Sequence, residues 1–260
     1  MAHDLSDLLA LAIRAADAAS VPILAGFRDP RLALERKGDG SVVTEADQAA
    51  ERVLREVLQA GAPDIDILGE EEGFVDRGSE LRWVVDPIDG TISYSRGIPL
   101  FGTLVGLERR ATGEALLGVI SLPALGEVYA GGQGLGVRCN DVPVRIADVE
   151  LGSGHASSIV CAGDPLWFEE SGRHGAHAAL ADVSLLRGYC DCFAHALVLR
   201  GSVGASVDPG LAPWDLCATA ALVAEAGGRL FTTPSAQPGR TDAVLGAPRV
   251  VEELLERLGW

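Results

Sequence analysis

Two aspartates lie three residues apart where an apolar run of the sequence ends. Residues 83–85 read Trp-Val-Val and predict a buried strand, and Asp86 and Asp89 follow it. Pro87 holds the first aspartate in extended backbone, and Gly90 permits a tight turn after the second. Two carboxylates this close repel each other in an apolar setting unless a cation lies between them. The spacing therefore predicts a metal site, and one suited to binding phosphate.

Two further acids stand where predicted elements begin or end. Glu70 follows the short strand predicted at residues 65–68. Asp215 stands at the start of an alanine-rich helix, where an aspartate often caps the helix. Beside the pair of aspartates described above, we favour a metal-ligand role for Asp215.

The string Asp86-Pro-Ile-Asp-Gly-Thr91 resembles the signature of the inositol-monophosphatase-like, metal-dependent phosphatases. The other marks of that family occur in the same order along the chain. They are residues 39–47 (Asp-Gly-Ser-Val-Val-Thr-Glu-Ala-Asp), residues 69–71 (Gly-Glu-Glu), and residues 213–215 (Pro-Trp-Asp) followed by residues 224–228 (Ala-Glu-Ala-Gly-Gly). The resemblance extends over roughly residues 5 to 260, which is nearly the whole chain.

The resemblance implies a centre of two or three Mg²⁺ ions, for which Mn²⁺ can substitute. The donors are all oxygen atoms, and carboxylates and carbonyls without Cys or His favour Mg²⁺ over zinc. The matching positions assign Glu70, Asp86 and the carbonyl of Ile88 to one ion, and Asp86, Asp89 and Asp215 to a second, with Asp86 bridging.

Asp47 has two interpretations, which the sequence leaves open. It lies in the first turn of a predicted helix that Thr44 caps, where an acid interacts favourably with the positive end of the helix dipole. The resemblance instead puts Asp47 at the rim of the metal site, as an indirect partner of the metal.

The resemblance further implies direct hydrolysis of a phosphate monoester, without a covalent phosphoenzyme. Water at the metal site would lose its proton toward Glu70 and Thr91 and attack phosphorus in line, and Asp89 completes the predicted catalytic set. The backbone N–H groups of Gly90 and Thr91, where a helix is expected to begin, would bind the phosphate oxygens.

Two segments resemble the histidinol-phosphate phosphatase branch of this family. Residues 96–104 begin Arg-Gly-Ile-Pro, and residues 207–215 contain Asp-Pro-Gly-Leu-Ala-Pro-Trp-Asp. The chain departs from that branch at Ile92, where the branch has Lys, and at Cys190, where it has Gly. Inositol 1-phosphate, or a related sugar or nucleotide phosphate, is therefore the alternative substrate.

By the same resemblance, Asp191 and Asp208 align with positions that contact the leaving alcohol, and Arg187 is a third predicted substrate contact. Two added carboxylates suit an alcohol with a cationic amine, such as L-histidinol, better than a neutral polyol. The alternative for Asp191 is a cap on the helix that follows residues 187–188.

The composition disfavours a nucleic-acid partner. The 260 residues include 21 basic and 37 acidic side chains, for a net charge of −16, which opposes binding to a phosphate backbone. The N-terminus lacks a basic segment before an apolar core, and no apolar run approaches the roughly 18 residues of a membrane span. We expect a cytoplasmic enzyme without nucleic-acid or membrane partners, and the family implies a homodimer. A binding protein that acts through protein or RNA partners is the competing class.

The cysteines and histidines give no sign of a second metal site. Five cysteines without a repeating spacing predict reduced thiols, Cys190 and Cys192 included. The five histidines form no recognisable set of ligands and are expected to be ordinary surface or core residues.

The expected fold is α+β, and the resemblance implies the layered αβαβα sandwich of the inositol monophosphatases. We divide the chain into an N-terminal α+β portion (residues 1–150), which carries most metal ligands, and a C-terminal α/β portion (residues 151–260), which completes the metal and substrate site. Residues 148–158, small and polar, mark the boundary. Hydrophobic periodicity predicts helices at residues 4–26, 45–60, 165–180, 191–201 and 214–227.

Overall fold

The computed structural model describes residues 3–36, 38, 42–152, 158–183 and 185–260. Residues 39–41 of the motif at residues 39–47 lie outside the described residues. So do His155 and the rest of residues 153–157, the middle of the expected boundary.

The two N-terminal helices begin where the sequence predicts. Helix α1 (Leu5–Gly26) is capped by Asp4, whose carboxylate accepts a hydrogen bond from the backbone N–H of Ser6 at 2.8 Å. Helix α2 (Glu45–Gly61) is capped by Thr44. Both caps are local interactions, which is why the sequence alone could predict these boundaries.

An eight-stranded sheet follows the first two helices. Its strands are β3 (Asp66–Gly69), β4 (Gly73–Val75), β5 (Leu81–Asp89), β6 (Gly102–Arg109), β7 (Glu114–Leu122), β8 (Glu127–Gly132), β9 (Gly136–Cys139) and β10 (Val142–Pro143). Their order is β10-β9-β8-β7-β6-β5-β3-β4, and neighbours are antiparallel except for the parallel pair β3 and β5. A separate antiparallel pair precedes it, β1 (Leu34–Arg36) with β2 (Val42–Thr44), and the short helix α3 (Thr91–Ser95) follows β5.

A five-stranded sheet forms the C-terminal part. Its strands are β11 (Ile159–Ala162), β12 (Leu185–Arg187), β13 (Ala205–Leu211), β14 (Arg229–Pro234) and β15 (Thr241–Gly246), in the order β12-β11-β13-β15-β14. The helices of this part are α4 (Pro165–Glu170), α5 (Ala176–Val183), α6 (Asp191–Leu199), α7 (Pro213–Glu225) and α8 (Pro248–Leu258).

Three elements of the C-terminal part differ from the prediction or were absent from it. The single helix expected at residues 165–180 is two helices, because Gly172 and Gly175 adopt φ values of 75° and 73°, which a right-handed helix cannot contain. Strand β15 and helix α8 were not predicted. Helix α8 nevertheless has a strong local signal, since Val250, Val251 and Leu254 are buried at helical spacing.

Helices and sheets alternate in five layers, which confirms the expected αβαβα sandwich. Helices α1 and α2 cover one face of the eight-stranded sheet, α6 and α7 lie between the two sheets, and α4, α5 and α8 cover the far side. One hydrophobic cluster joins Leu104 and Ile120 of the first sheet to Leu222 and Val244 of the C-terminal part. The division at residue 150, which this core crosses, stays an interpretation of the sequence.

By length and composition, α1 is apolar enough to cross a membrane, contrary to the expectation from the sequence. An 18-residue window of α1 has a mean hydropathy of 1.7. In the structure α1 packs against α2, β6 and β7 and buries Leu8, Leu11 and Ile23, among other side chains. A core helix passes the same composition test, and this packing accounts for the apolar character of α1.

Close packing of α7 on the first sheet brings Asp215, in the first turn of α7, near Asp86 and Asp89 at the end of β5. Gly106 and Gly118 lie beneath α7, and a Cβ atom at Gly106 would lie only 2.5 Å from the Sγ atom of Cys217. Because these glycines have no side chains, the helix approaches β6 and β7 closely, and its first turn reaches the end of β5.

Candidate active site

The end of β5 carries Asp86 and Asp89 on either side of a β-bulge. In a regular strand, residues three apart point to opposite faces of the sheet. Here the pairing with β6 shifts register between the two aspartates, and Thr103 Oγ1 donates a hydrogen bond to the carbonyl of Pro87 at 2.8 Å inside the bulge. The extra residue lets both carboxylates face the same point.

Asp86, Asp89 and Asp215 form a carboxylate cluster. Each offers one oxygen, and these three atoms lie within 4.8 Å of one another. Asp86 is only 2% exposed, and its Oδ1 atom has no hydrogen-bond partner among the described residues. A buried carboxylate oxygen without a donor is unfavourable, so the cluster has the character of an ion-binding site.

Burial raises the pKa of all three carboxyls. The pKa values of Asp86 and Asp89 lie well above the usual range; after burial, the largest causes are the charge of Glu70 for Asp86 and that of Asp191 for Asp89. The pKa of Asp215 is raised to about 6, again chiefly by burial, with a further contribution from Glu70. The fully ionised cluster therefore requires nearby positive charge.

Asp215 also holds the start of α7. Its Oδ2 atom accepts a hydrogen bond from the backbone N–H of Ala212 at 2.7 Å. The Nη1 atom of Arg240 lies 3.9 Å from the same oxygen. Asp215 therefore holds the start of α7 and also belongs to the carboxylate cluster, and its role as a metal ligand stays a prediction.

Glu70 follows β3 directly, and it is near enough to the carboxylate cluster for its charge to raise the pKa of Asp86 and of Asp215. It lines a cavity of about 470 Å³ together with Gly90, Thr91 and Asp191. The turn that carries Glu70 is therefore next to the expected phosphate position.

A buried ion pair fixes the turn that follows Glu70. Glu51 of α2 is fully buried and accepts hydrogen bonds from the backbone N–H groups of Glu71 (2.7 Å) and Glu72 (3.0 Å) and from Arg55 Nε (2.9 Å). Arg55 in turn donates to the carbonyl of Gly73 at 2.5 Å. The sequence does not reveal this network, since a Glu and an Arg four residues apart are typical of an exposed helical ion pair.

Asp47 connects the start of α2 to Thr91. It is fully buried, and its Oδ2 atom accepts a hydrogen bond from the backbone N–H of Thr44 at 2.8 Å. The Oγ1 atom of Thr91 lies 3.4 Å from Asp47 Oδ1 and 2.9 Å from the carbonyl oxygen of Ile88. Burial, despite the Thr44 hydrogen bonds, raises the pKa of Asp47 to about 6. Asp47 is thus both part of a helix cap and a neighbour of the predicted catalytic threonine.

Gly90 makes the turn between β5 and α3. Its φ of 86° lies in the left-handed region that favours glycine, and α3 begins at Thr91, as predicted. A Cβ atom at this position would lie 3.0 Å from the carbonyl oxygen of Leu100 and 3.2 Å from Asp191 Oδ2. Asp191 therefore reaches the same turn from the C-terminal part of the chain.

A cavity of about 870 Å³ opens next to the cluster and contains both predicted leaving-group contacts, Asp191 and Asp208. Asp191 is the first residue of α6 and has a φ of 57°, and the N-cap position before it is occupied by Cys190. The capping alternative is therefore not supported, and a non-glycine residue in this strained conformation is often functional. Burial raises the pKa of Asp191 to about 6, and the charge of Asp208 contributes.

Arg187 is the predicted contact that the structure leaves apart from the others. It lies at the exposed end of β12, and its Nη1 atom donates to the carbonyl of Leu186 at 2.8 Å. Within the part of the chain that the structure describes, it does not line either of the two cavities described above.

The model of the inositol monophosphatase family matches residues 4–257 of this chain. The chain belongs to that family. A histidinol-phosphatase from Chlorobaculum parvum is 37% identical over 223 residues, which cover 86% of this chain and 85% of that protein. An inositol-1-monophosphatase from Mesorhizobium japonicum is 32% identical over 238 residues, 86% of this chain and 84% of that protein. The structure of the inositol monophosphatase from Anabaena superposes with a TM-score of 0.83 at 27% identity, covering 99% of this chain and 97% of that one.

As a member of the inositol monophosphatase family, the protein is a phosphoric monoester hydrolase of a metal-dependent type. Its carboxylate cluster fits that chemistry, because it offers oxygen donors, raised carboxyl pKa values and the unpartnered Asp86 Oδ1. Cations that prefer oxygen ligands suit such a set.

Other residues of the inositol monophosphatase site could not be found from sequence. The backbone N–H of Cys192 donates to Asp89 Oδ2, a contact that no side-chain pattern reveals. Trp167 lines both cavities, and its ring lies against Gly163, where a Cβ atom would come within 2.5 Å. His195, expected to be an ordinary histidine, lines the larger cavity.

Proposed function

We propose that the protein is a Mg²⁺-dependent phosphomonoesterase that hydrolyses L-histidinol phosphate to L-histidinol and phosphate, a step of histidine biosynthesis. One observation supports this choice of substrate. Asp191 and Asp208 line the same cavity as Asp89 and Asp215 of the carboxylate cluster. The similarity to the Chlorobaculum parvum histidinol-phosphatase supports the same choice.

The charges of the larger cavity suit a zwitterionic ester. The charge of Asp208 raises the pKa of the Asp191 carboxyl, and a substrate ammonium group between the two aspartates offsets that repulsion. Arg36 and Arg240 line the same cavity and offset the charge of the phosphate. A neutral polyol phosphate would leave the two aspartates uncompensated.

The proposed metal ligands are Glu70, Asp86, Asp89, Asp215 and the carbonyl of Ile88, and the oxygen-only donor set favours Mg²⁺, with Mn²⁺ as a substitute. When bound, the divalent cations supply the positive charge that polarises the phosphoryl group and acidifies water. The chain's own groups then orient the reactants and accept the proton.

Glu70 and Thr91 orient the attacking water, and its proton passes toward them. Thr91 Oγ1 lies 3.4 Å from the Asp47 carboxylate, so the proton can be held on Asp47, whose raised pKa suits a proton acceptor near neutral pH. The N–H groups of Gly90 and Thr91 bind phosphate oxygens, and Asp89, held by the N–H of Cys192, fixes the geometry of attack in line with the leaving alcohol.

A phosphatase for inositol 1-phosphate, or for a related sugar or nucleotide phosphate, is the second candidate. It is favoured by Ile92 and Cys190, the two departures from the histidinol-phosphate phosphatase branch. The similarity to the Mesorhizobium japonicum inositol-1-monophosphatase supports it as well.

We further propose a cytoplasmic location, which rests on the composition of the sequence and on the packing of α1 in the core, and a homodimer, which rests on the family resemblance. The acidic net charge of −16 supports a small-molecule substrate over a nucleic acid.

The deciding experiment measures phosphate release with Mg²⁺ on L-histidinol phosphate and on inositol 1-phosphate, with Asp89→Asn as the blank. We expect a preference of about a hundredfold in kcat/KM for L-histidinol phosphate, which corresponds to about 2.7 kcal/mol of transition-state discrimination. A preference for the inositol ester, or equal weak activity on both esters, would be consistent with a phosphatase but would contradict L-histidinol phosphate as the substrate.

The variants Asp191→Asn and Asp208→Asn test the carboxylates themselves. Asn tolerates the positive φ of position 191, so the change removes charge without adding backbone strain. We expect each variant to reduce the preference for L-histidinol phosphate, while Asp182→Asn, at an exposed position of α5, retains it. The same preference in both variants as in the wild type would contradict the proposal.

A further inference from the structure

His195 lies beneath the cavity, hydrogen-bonded on both sides of its ring. It is 1% exposed. Its Nδ1 atom lies 2.9 Å from Thr219 Oγ1, and its Nε2 atom lies 3.2 Å from Asp208 Oδ2. A buried histidine with two such partners has a fixed ring orientation.

The partners also determine where the ring hydrogen lies. A carboxylate only accepts hydrogen bonds, so the Nε2–H of His195 donates to Asp208. In the neutral ring, Nδ1 then accepts a hydrogen bond from the Thr219 hydroxyl. The Asp208 carboxylate therefore sets the tautomer, and the Thr219 hydroxyl, which can donate or accept, is compatible with it.

Both donors to Asp208 act on the same carboxylate oxygen. Ser206 Oγ donates to Oδ2 at 2.6 Å, and His195 Nε2 reaches the same atom. The other oxygen, Oδ1, has no hydrogen-bond partner among the described residues, and Asp208 lines the larger cavity. The carboxylate is therefore held by one oxygen and offers the other to a ligand.

Helical spacing ties this arrangement to the rest of the site. His195 follows Asp191 by four residues in α6, and Thr219 follows Asp215 by four residues in α7, so each lies one turn below an acid of the site. The His195 ring thus links α6, α7 and β13 directly under the cavity.

We propose that His195 is a positioning residue for substrate selectivity, which orients Asp208 so that Oδ1 faces the polar group of the leaving alcohol. The identity of that group as an ammonium rests on the proposed function; the positioning role does not. His195 acts through Asp208 and takes no part in the attack on phosphorus.

Two variants separate the two contacts of the ring. In His195→Asn the short amide can reach Thr219 but not Asp208, whereas in His195→Gln the longer amide can place its N–H near the position of Nε2. We expect His195→Asn to raise KM for L-histidinol phosphate about tenfold with kcat changed by less than about twofold, the effect of one misdirected hydrogen bond to a charged group. His195→Gln should stay within about threefold of the wild-type KM.

The control is His174→Asn, the same substitution at an exposed histidine that contacts Glu169 at the surface. Inositol 1-phosphate is measured in parallel. Equal effects of His195→Asn and His195→Gln, or a parallel loss of kcat on both esters, would show that His195 is merely structural and overturn the proposal. If the wild type prefers the inositol ester, the proposed substrate fails, and the difference in KM between the two variants on that ester decides the positioning role by itself.

Discussion

The buried carboxylate of Glu51 accepts a hydrogen bond from the backbone N–H of Glu71 at 2.7 Å, which attaches α2 to the turn that carries Glu70. Glu51→Gln keeps the shape but puts an amide where donors converge and leaves the buried Arg55 without its counter-charge. We expect the Mg²⁺ concentration for half-maximal activity to rise about tenfold, as is typical when a group that orients a metal ligand is changed. A Mg²⁺ titration of phosphate release measures this.

The matched control for Glu51→Gln is Glu56→Gln, at an exposed position of the same helix. It should leave both the Mg²⁺ requirement and the Tm at wild-type values. A Glu51→Gln enzyme that is folded and has the wild-type Mg²⁺ requirement would show that the ion pair does not act on Glu70.

The contact between Asp47 and Thr91 separates a role in folding from a role in the reaction. Asp47→Asn retains an oxygen that can accept the hydrogen bonds of Thr44, so the start of α2 should persist and the Tm should change little. Loss of the proton acceptor should lower kcat by about a hundredfold. Glu45→Gln, at the exposed first residue of the same helix, controls for the helix dipole. A large fall in Tm with unchanged kcat would leave Asp47 a helix-cap residue only.

How much of the fold the sequence could predict depended on how local each signal was. The bounds of α1 and α2 follow from Asp4, Thr44 and periodic apolar positions, all within a few residues of the helix ends. The break between α4 and α5 depends on two glycines whose φ values the sequence did not specify. Helix α8 has a local signal of the same kind, in the helical spacing of its buried Val250, Val251 and Leu254.

The residues of the candidate site also differ in how local their sequence signals are. Asp86, Asp89 and Thr91 stand in one continuous string, so their closeness in the fold could be predicted from the sequence. The bulge that turns both aspartates to one point depends on pairing with β6, which no short pattern reveals. Likewise, the partners of His195 lie on β13 and α7, so the role of its ring exists only in the folded chain.

Removal of the metal should make stability depend on pH in a particular direction. The pKa values of Asp47, Asp191 and Asp215 are raised from 3.8 to about 6 in the folded chain. The folded state therefore binds more protons than the unfolded state in this range, and these groups reduce the free energy of unfolding as pH rises through about 4 to 6. Because the proposed Mg²⁺ ions would bind Asp215 in its ionised form and their positive charge would favour ionised carboxylates nearby, the increase in Tm from EDTA to Mg²⁺ should be larger at about pH 7.5 than at about pH 5.

Comparing the Tm in EDTA with the Tm in Mg²⁺ at the same pH controls for the rest of the protein. The other carboxylates contribute equally to both Tm values, so their effects cancel in the difference. Thermal unfolding in EDTA and in excess Mg²⁺ at each pH gives the result. A Mg²⁺-induced increase in Tm that is equal at both pH values would mean that protonation of these aspartates does not weaken metal binding.

Asp86 is predicted to lower the stability of the metal-free fold and to be required for activity. Its carboxyl is buried, Oδ1 lacks a partner among the described residues, and burial and the neighbouring acids all raise its pKa. Asp86→Asn removes that repulsion, so the Tm in EDTA at about pH 7.5 should rise by several degrees. Activity and the Mg²⁺-induced increase in Tm should both be lost, because the predicted bridging ligand is gone. Asp182→Asn, at an exposed position of α5, should change neither quantity. A lower Tm in EDTA for Asp86→Asn would mean that the carboxylate is stabilised in the metal-free fold by contacts that outweigh its repulsion from Asp89 and Glu70.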